Sequence, residues 1–236
     1  MSPAAALQDL LFPARCLACE ILLGRHRLPL LCDSCYTRLA VLGSPWCLLC
    51  GIPFAAGADH LCGDCLADDR PFALARTAFL YREPLVTLIH QLKFGRRLTG
   101  LATLGRLVRD TPAVAAFSCP DIIIPVPLHV NRLRQRGFNQ SLLLARSCFP
   151  GWKNRIVVDI LHRIRNTVPQ TDLSGSERRQ NLKNAFSVSG AERIAGRSIL
   201  LIDDVVTTGS TIGECSRILR HAGAQRVEVF ALARAL

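Results

Sequence analysis

The segment Leu200-Leu-Ile-Asp-Asp-Val-Val-Thr-Thr-Gly-Ser-Thr211 decides the fold of most of this chain. Its apolar start predicts a buried strand, two adjacent acids end that strand, and a loop of hydroxyl residues and glycine then opens a helix. Backbone N–H groups and hydroxyls at such a helix N-terminus bind a phosphate dianion. The carboxylates of Asp203 and Asp204 suit vicinal ribose hydroxyls and Mg²⁺. Because adjacent acids repel each other without a partner, we interpret the segment as a site for a phosphorylated sugar.

Apolar runs and amphipathic stretches alternate on both sides of this segment. Strands are predicted over residues 73–81, 121–126, around 155–160, 197–202 and 226–232, and helices over residues 85–95, about 98–107, 139–149 and 211–221. Strands that alternate with helices predict an α/β fold, here a doubly wound domain with a mainly parallel sheet. In such sheets ligands bind outside the carboxyl ends of the strands, which is where the acidic pair is expected.

Eight of the 11 cysteines fall in the first 65 residues as four Cys-x-x-Cys pairs, and each pair lets one tight turn aim two sulfurs at one ion. The pairs are Cys16/Cys19, Cys32/Cys35, Cys47/Cys50 and Cys62/Cys65. Gaps of 12 residues in the first half and 11 in the second favour two consecutive, structural zinc ribbons. Interleaved ligation stays open. Disulfides need an oxidising compartment that nothing in the sequence indicates, and four repeats argue against a thioredoxin-like redox pair.

The balance of basic and acidic residues differs between the two parts of the chain. Residues 1–70 carry 5 basic and 7 acidic side chains, and residues 71–236 carry 24 and 11, so we expect a zinc-ribbon module over 1–70 and a larger domain over 71–236. Arginine accounts for 26 of the 29 basic residues and suits bidentate phosphate contacts, although a GC-rich genome also favours it. Residues 132–183 hold 11 basic and 3 acidic side chains, which indicates either a solvated surface or a track for a nucleic-acid backbone.

The composition excludes a disordered or fibrous protein, because 50% of the 236 residues are hydrophobic and 20% are charged. No segment reaches the roughly 18 uninterrupted apolar residues that a membrane helix needs. The first residues contain Gln8 and Asp9 and lack a basic region, so they do not resemble a secretory signal. We therefore expect a cytoplasmic protein. Recruitment to the inner face of the cell membrane is compatible with this expectation.

Several motifs together carry a resemblance to a known family. They are the four Cys-x-x-Cys pairs, Pro125-Val-Pro-Leu-His129 with Arg132-Leu-Arg-Gln-Arg-Gly-Phe-Asn-Gln140, and residues 170–186. Residues 200–211 resemble the phosphoribosyl pyrophosphate (PRPP) signature of type I phosphoribosyltransferases. The whole chain resembles the ComF family of competence proteins, which includes GntX-like members. The resemblance implies a small N-terminal double zinc ribbon, followed along the chain by a domain with a sheet of the type I phosphoribosyltransferase kind.

The resemblance also implies roles for individual residues. Asp203 and Asp204 would hold the ribose hydroxyls and Mg²⁺ and would be the catalytic pair. PRPP would be bound by Asp203, Asp204, Val205, Thr207, Thr208, Gly209, Ser210 and Thr211. Candidates for the pyrophosphate site, in a loop lengthened by an Arg-rich insertion, and for a mobile lid are Arg132, Arg136, Gly137, Arg165, Gln170, Arg178 and Lys183.

Two functions follow from the resemblance. The first is Mg²⁺-dependent transfer of phosphoribosyl to an unidentified acceptor, with release of pyrophosphate, in a protein that supports uptake or processing of single-stranded DNA during natural transformation. The second is a non-catalytic PRPP sensor or scaffold that binds single-stranded DNA and partner proteins. The negative charge of the zinc ribbons argues against nucleic-acid contact there and favours docking of a protein such as a DNA-translocating helicase.

Overall fold

A four-stranded parallel sheet forms the centre of the computed structural model, which describes residues 13–24, 28–94, 100–166, 182 and 184–236. The strands in chain order are β1 (Leu74–Leu80), β2 (Ile122–Pro125), β3 (Leu161–Arg163), β4 (Phe186–Val188), β5 (Ser198–Val206) and β6 (Arg226–Arg234). The parallel sheet has the order β1-β6-β5-β2, and β3 and β4 form a separate antiparallel pair. The sheet that carries the acidic pair is therefore parallel throughout, as the alternation of strands and helices predicts.

Helices cover both faces of this sheet. The α-helices of the described residues are α1 (Asp33–Thr37), α2 (Gly63–Ala67), α3 (Leu85–Phe94), α4 (Gly100–Arg109), α5 (Pro112–Ala115), α6 (Val130–Arg136), α7 (Gln140–Cys148) and α8 (Ser210–His221), of which α1 and α2 belong to the cysteine-rich segments. Successive residues of β5 point to opposite faces, so Leu200 and Ile202 pack in the core with α3, α4 and α7. Ile199 and Leu201 pack in the core with α8 and the β3–β4 pair. This arrangement confirms the doubly wound α/β fold.

The prediction of a strand around residues 155–160 is wrong. Residues Pro150–Arg155 form a 3₁₀ helix, and within the predicted stretch Ile156 makes a single parallel bridge to Ile123 of β2. The β-branched residues of this run favour a strand, but strand formation depends on the partner edge, and β2 is four residues long. The chain instead enters β3, which pairs with β4.

The Arg-rich insertion, expected as part of a loop, forms helix α6. His129 is its N-cap and accepts a hydrogen bond from the Asn131 N–H at 3.3 Å. Gly137 ends the helix in the left-handed conformation with a φ of 84°, which glycine adopts without a steric cost. The helix carries the arginines of this segment on a regular scaffold that directly follows the carboxyl end of β2.

The two cysteine-rich ribbons pack against the sheet and its helices. In the first ribbon (Cys16 to Cys35), the Leu30 N–H donates to Thr103 Oγ1 of α4 at 3.0 Å. The second ribbon (Cys47 to Cys65) lies along β1, where the Ala75 N–H donates to the Leu49 carbonyl at 2.7 Å. Since β1 is an edge strand, the ribbon covers backbone groups that would otherwise offer an open edge.

Glycine is required where the second ribbon approaches β1 most closely. Gly51 has a φ of +68°, and a Cβ at this position would lie 2.5 Å from the Ala75 carbonyl oxygen. The turn after the Cys47/Cys50 pair therefore sits directly on the backbone of the strand, with no room for a side chain.

Two buried arginines of the sheet point into the second ribbon. Arg76 of β1 donates to the carbonyl oxygens of Cys47 at 3.4 Å and Leu48 at 3.1 Å, and its guanidinium lies 4.5 Å from the ring centroid of Trp46. Arg234 of β6 donates to the Cys50 carbonyl at 2.5 Å. Burial lowers the pKa of both arginines, while the cysteines of the ribbon act in the opposite direction. The carbonyl oxygens and the cysteines of the ribbon therefore stabilise the charges of both arginines.

Replacing Arg76 should show how much this contact contributes. Because Arg76→Ala leaves buried carbonyls of the ribbon without their donor, we expect the free energy of unfolding to fall by about 2–3 kcal/mol. Urea denaturation of the zinc-loaded protein, followed by circular dichroism, measures this change. The exposed Arg82 at the end of the same strand is the matched control, and Arg82→Ala should change the free energy by less than about 0.5 kcal/mol. Equal effects of the two substitutions would contradict the assignment.

Candidate functional sites: two zinc centres and an acidic cleft

The eight cysteines of the ribbons form two separate clusters. Cys16, Cys19, Cys32 and Cys35 lie with all Sγ atoms within 4.8 Å of one another, and Cys47, Cys50, Cys62 and Cys65 do the same. The grouping is sequential, not interleaved. Four sulfur ligands at this separation match the tetrahedral coordination of a structural zinc ion. The N-terminal part is therefore a zinc-binding module of two four-cysteine sites.

Backbone N–H groups prepare the sulfurs for metal binding. The N–H groups of Cys50 and Cys62 point at Cys47 Sγ at 3.5 Å and 3.3 Å. Burial opposes ionisation of Cys47, but the backbone hydrogen bonds outweigh it and lower the pKa of this thiol to about 6. Cys16 of the first cluster has the same balance of causes, and its pKa is also lowered to about 6. Each centre therefore contains one thiol whose pKa is shifted toward the ionised form that a metal ligand takes, whereas burial raises the pKa of Cys35 and Cys50.

A cleft of about 290 Å³ opens at the carboxyl ends of the strands. Its walls come from the ends of β1, β2 and β5 and from helices α3, α6 and α7. The lining residues are Tyr81, Lys93, Val126, Pro127, Leu128, Arg132, Arg136, Gln140, Arg163, Asp203, Asp204, Val205, Thr207 and Thr211. The position agrees with the place where parallel α/β sheets bind ligands.

The acidic pair lies at the floor of this cleft, where both residues are only 7% exposed. Asp203 Oδ1 accepts hydrogen bonds from the Asp204 N–H at 2.8 Å and from Ser141 Oγ at 3.3 Å. Asp204 Oδ1 accepts from the Val205 N–H at 2.8 Å, and Lys93 Nζ lies 2.6 Å from Asp204 Oδ2. Burial, followed by the neighbouring charge of Asp204, raises the pKa of Asp203 to about 8.

Arginines of α6 and β3 surround the acids. Arg136 donates to Gln140 Oε1 at 2.6 Å, which orients its guanidinium within the cleft. Burial lowers the pKa of Arg136 and of Arg163, and the nearby Arg132 lowers both further, while Asp204 opposes the shift at Arg136. Three guanidinium groups held so close together create a strongly positive wall, which favours a polyanionic ligand.

The loop that follows β5 places its polar groups at the start of α8. Gly209 adopts a φ of 79° and precedes the first residue of this 12-residue helix. The Thr208 and Ser210 hydroxyls lie 2.8 Å apart, and the Ser210 N–H approaches Thr208 Oγ1 at 3.4 Å. A positive helix end with hydroxyl groups beside it is a general design for binding phosphate.

The structure brings most of the predicted site residues into this one region. Asp203, Asp204, Val205, Thr207, Thr211, Arg132 and Arg136 line the cleft, and Thr208, Gly209 and Ser210 form the adjoining loop. Gly137 caps α6, and Arg165 is exposed just beyond the end of β3. Gln170, Arg178 and Lys183 lie outside the described residues.

Sequence reasoning missed several residues of the cleft. Lys93, Tyr81, Ser141 and Arg163 come from four different parts of the chain that meet only in the folded protein. The one available signal was at Lys93, a cation in the last turn of a helix whose other residues follow an apolar stripe. Tyr81 has no such signal, although its hydroxyl lies 3.2 Å from His90 Nε2 on the same side of the cleft.

Two known protein families match parts of this chain. Residues 7–66 match the family described as double zinc ribbon domain, and residues 154–236 match the phosphoribosyl transferase domain. The fold and the sites thus define a phosphoribosyltransferase domain that carries a double zinc ribbon. The solved structure of TT1426 from Thermus thermophilus overlaps over 56% of this chain and 72% of that one, with 14% identity and a TM-score of 0.32, a similarity too weak to bear on the fold.

Curated relatives extend over most of the chain. Competence protein F of Haemophilus influenzae is 37% identical over 210 residues, which are 87% of this chain and 90% of the relative. DNA utilization protein YhgH of Escherichia coli K12 is 39% identical, over 87% of this chain and 91% of the relative. Competence protein ComFC of Bacillus subtilis is 28% identical, over 86% and 83%. The chain belongs to the ComF family. Among its described residues, no helix is both long and apolar enough to span a membrane.

Metal analysis tests the two zinc centres. Atomic absorption should give two zinc ions per chain, and Cys62→Ser should reduce this to one because it removes a ligand of the second centre only. Cys119→Ser is the control, since this exposed cysteine belongs to neither cluster and both ions should remain. A wild-type value of one or none would contradict the assignment.

The raised pKa of Asp203 predicts a pH-dependent effect on stability. With a folded-state pKa near 8, far above the usual 3.8, the folded protein holds a proton that the unfolded chain releases, so this residue destabilises the fold as pH rises toward 8. Asp203→Asn keeps the shape and an oxygen that accepts both hydrogen bonds, but it does not titrate. We compare the melting temperature of the variant with that of wild type, both measured without ligand. The difference, variant minus wild type, should be larger at pH 8 than at pH 5. The same difference at both pH values would contradict the shift.

Proposed function

We propose that this protein binds PRPP together with Mg²⁺ in the acidic cleft. The observation that carries the proposal is the meeting of a buried Asp-Asp pair, a hydroxyl-rich helix N-terminus and three arginines around one cleft. A diol, a phosphate monoester and a pyrophosphate are the three parts of PRPP, and each has a chemically matched region here.

Each part of the ligand is assigned to one region. Asp203 and Asp204 accept hydrogen bonds from the two ribose hydroxyls, and the loop Thr207 to Thr211 receives the 5′-phosphate at the start of α8. Arg132 and Arg136 of α6 face the pyrophosphate. Carboxylate oxygens are the metal ligands that Mg²⁺ prefers, so the acidic pair fits this ion. The bound ion would neutralise charge on the pyrophosphate.

The chemistry that follows from this binding mode is transfer of the phosphoribosyl group. The bond between C1 of the ribose and the pyrophosphate oxygen breaks, and a bond from C1 to the acceptor forms. Arg132, Arg136 and Arg163 stabilise the negative charge that grows on the leaving group. The acidic pair holds the ribose in place while positive charge develops at its C1 atom. Gln170, Arg178 and Lys183 stay candidates for the lid.

A specific feature of the cleft favours the second candidate, a PRPP sensor or scaffold without turnover. Among the described residues that line the cleft there is no glutamate or histidine, and the pair of aspartates is assigned to the ribose. The remaining groups among them that could take a proton from an acceptor are Tyr81 and Lys93, and Lys93 is paired with Asp204. An acceptor that is already a good nucleophile would relieve this requirement.

The proposed biological role is support of DNA uptake or processing during natural transformation. Relatives named competence protein and DNA utilization protein support this role. The 11 basic residues between positions 132 and 183 exceed what one pyrophosphate requires, and they suit the backbone of single-stranded DNA. The zinc-binding module is the proposed docking site for another competence protein, such as a DNA-uptake helicase, and the protein is proposed to act in the cytoplasm, with recruitment to the inner face of the membrane.

Calorimetric titration of PRPP with Mg²⁺ tests the binding proposal. Wild-type protein should bind, and the double variant Asp203→Asn with Asp204→Asn should lose binding because the amides cannot hold the diol and the metal as carboxylates do. The double variant should unfold at a temperature at least as high as that of wild type, which separates loss of ligand from loss of fold. Unchanged affinity in the double variant would overturn the ribose assignment.

A measurement of pyrophosphate release separates the enzyme from the sensor. Wild-type protein is incubated with PRPP and Mg²⁺ and with nucleobases or single-stranded DNA as acceptors. Release that depends on the acceptor and is lost in the double variant supports the transferase, whereas binding without release supports the sensor.

A further inference from the structure

Lys93 forms a short ion pair in the cleft, and neither assigned function uses it. Its Nζ lies 2.6 Å from Asp204 Oδ2, with the lysine side chain 20% and the aspartate side chain 10% exposed. Lys93 belongs to the last turn of α3, whereas Asp204 belongs to β5. The pair therefore joins the helical wall of the cleft to its floor.

The hydrogen bonds of the acidic pair show which oxygen this lysine occupies. Asp204 Oδ1 is fixed by the Val205 N–H, whereas Oδ2 is buried and receives no backbone N–H. Lys93 holds that oxygen. A diol that binds through Asp204 must therefore share Oδ2 with the ammonium group or displace it.

Charge balance indicates why a lysine stands at this place. A buried carboxylate without a partner is costly. Lys93 compensates Asp204 in the ligand-free cleft. Once ribose hydroxyls donate to Asp204, the ammonium needs another acceptor, and its long flexible stem lets it turn toward a phosphate in the same cleft.

We propose that Lys93 is a displaceable counter-ion that favours ligands with both a diol and a pyrophosphate. This inference rests on the proposed PRPP site. When the diol takes Asp204, Lys93 moves to the pyrophosphate. Pyrophosphate alone draws Lys93 away from Asp204 without supplying the hydroxyl donors that replace it, and ribose 5-phosphate alone leaves Lys93 without a pyrophosphate to contact. PRPP satisfies both residues at once, so its two ends bind cooperatively.

Lys93→Gln should therefore affect three ligands differently. Calorimetric titrations with Mg²⁺ present compare PRPP, inorganic pyrophosphate and ribose 5-phosphate. Removal of a charged phosphate contact should weaken PRPP and pyrophosphate by roughly ten- to a hundredfold. Ribose 5-phosphate should bind as in wild type or more tightly, because the diol no longer competes with an ammonium group. Lys153→Gln is the matched control, since this exposed lysine lies outside the cleft and should change none of the three.

The outcomes separate this inference from the proposed function. Absence of PRPP binding by wild type would overturn both, whereas PRPP binding that Lys93→Gln leaves unchanged would overturn the role of Lys93 alone. An equal loss of all three ligands would mean that Lys93 acts only on the structure of the cleft and would also contradict the inference. If Lys93→Gln does not fold, Lys93→Arg decides. It keeps the charge, so pyrophosphate should bind within a few-fold of wild type, and a loss of about tenfold or more would overturn the proposal.

Discussion

The second zinc centre and two buried arginines carry opposite charges, and their contact helps to hold the second ribbon on the sheet. Four thiolates around one Zn²⁺ leave two negative charges, and Arg76 and Arg234 bring two positive charges from neighbouring strands of the sheet. Each group lowers the cost of burying the other, and Asp59 also acts on Arg76 as Arg70 does on Cys65. The module is thus bound to the sheet by electrostatics as well as by the backbone pairing along β1.

This contact also reaches the cleft through the backbone of β6. The Arg234 carbonyl accepts from the Tyr81 N–H at 2.7 Å, and Tyr81 is one wall of the cleft. On the other side of β6, Arg234 is in register with Val206, next to the loop that begins at Thr207. A residue whose side chain faces the second zinc centre therefore fixes the backbone on both sides of the ligand site. The side chain of Arg234 thus contacts the second ribbon, while its backbone pairs with the two strand ends that border the cleft.

Local patterns in the sequence were enough to predict the strands of the parallel sheet, but not every other element and not the meeting of distant residues. The apolar run before Asp203 and the equal spacing of the cysteine pairs each specify their structure within a few residues, so β5 and the two four-cysteine clusters are confirmed. Residues 155–160 have the composition of a strand, but the short β2 offers them one bridge. Lys93 and Arg76 could not be assigned from the sequence, because their partners lie far along the chain and only packing of α3 and of the second ribbon brings them together.

The second zinc centre and the cleft differ in whether the protein's own residues balance the charge of the site. At the second zinc centre the negative charge of the metal and thiolates faces arginines from the sheet and from the ribbon, which suits a structural site. In the cleft, Lys93 and three arginines share the walls and floor with two carboxylates, and the raised pKa of Asp203 removes part of the negative charge. An excess of positive charge in a largely desolvated cleft destabilises the ligand-free protein and is relieved by an anion. A ligand that offers phosphates to the cations and hydroxyl donors to the acids is what completes this site, in the same way that zinc completes the other.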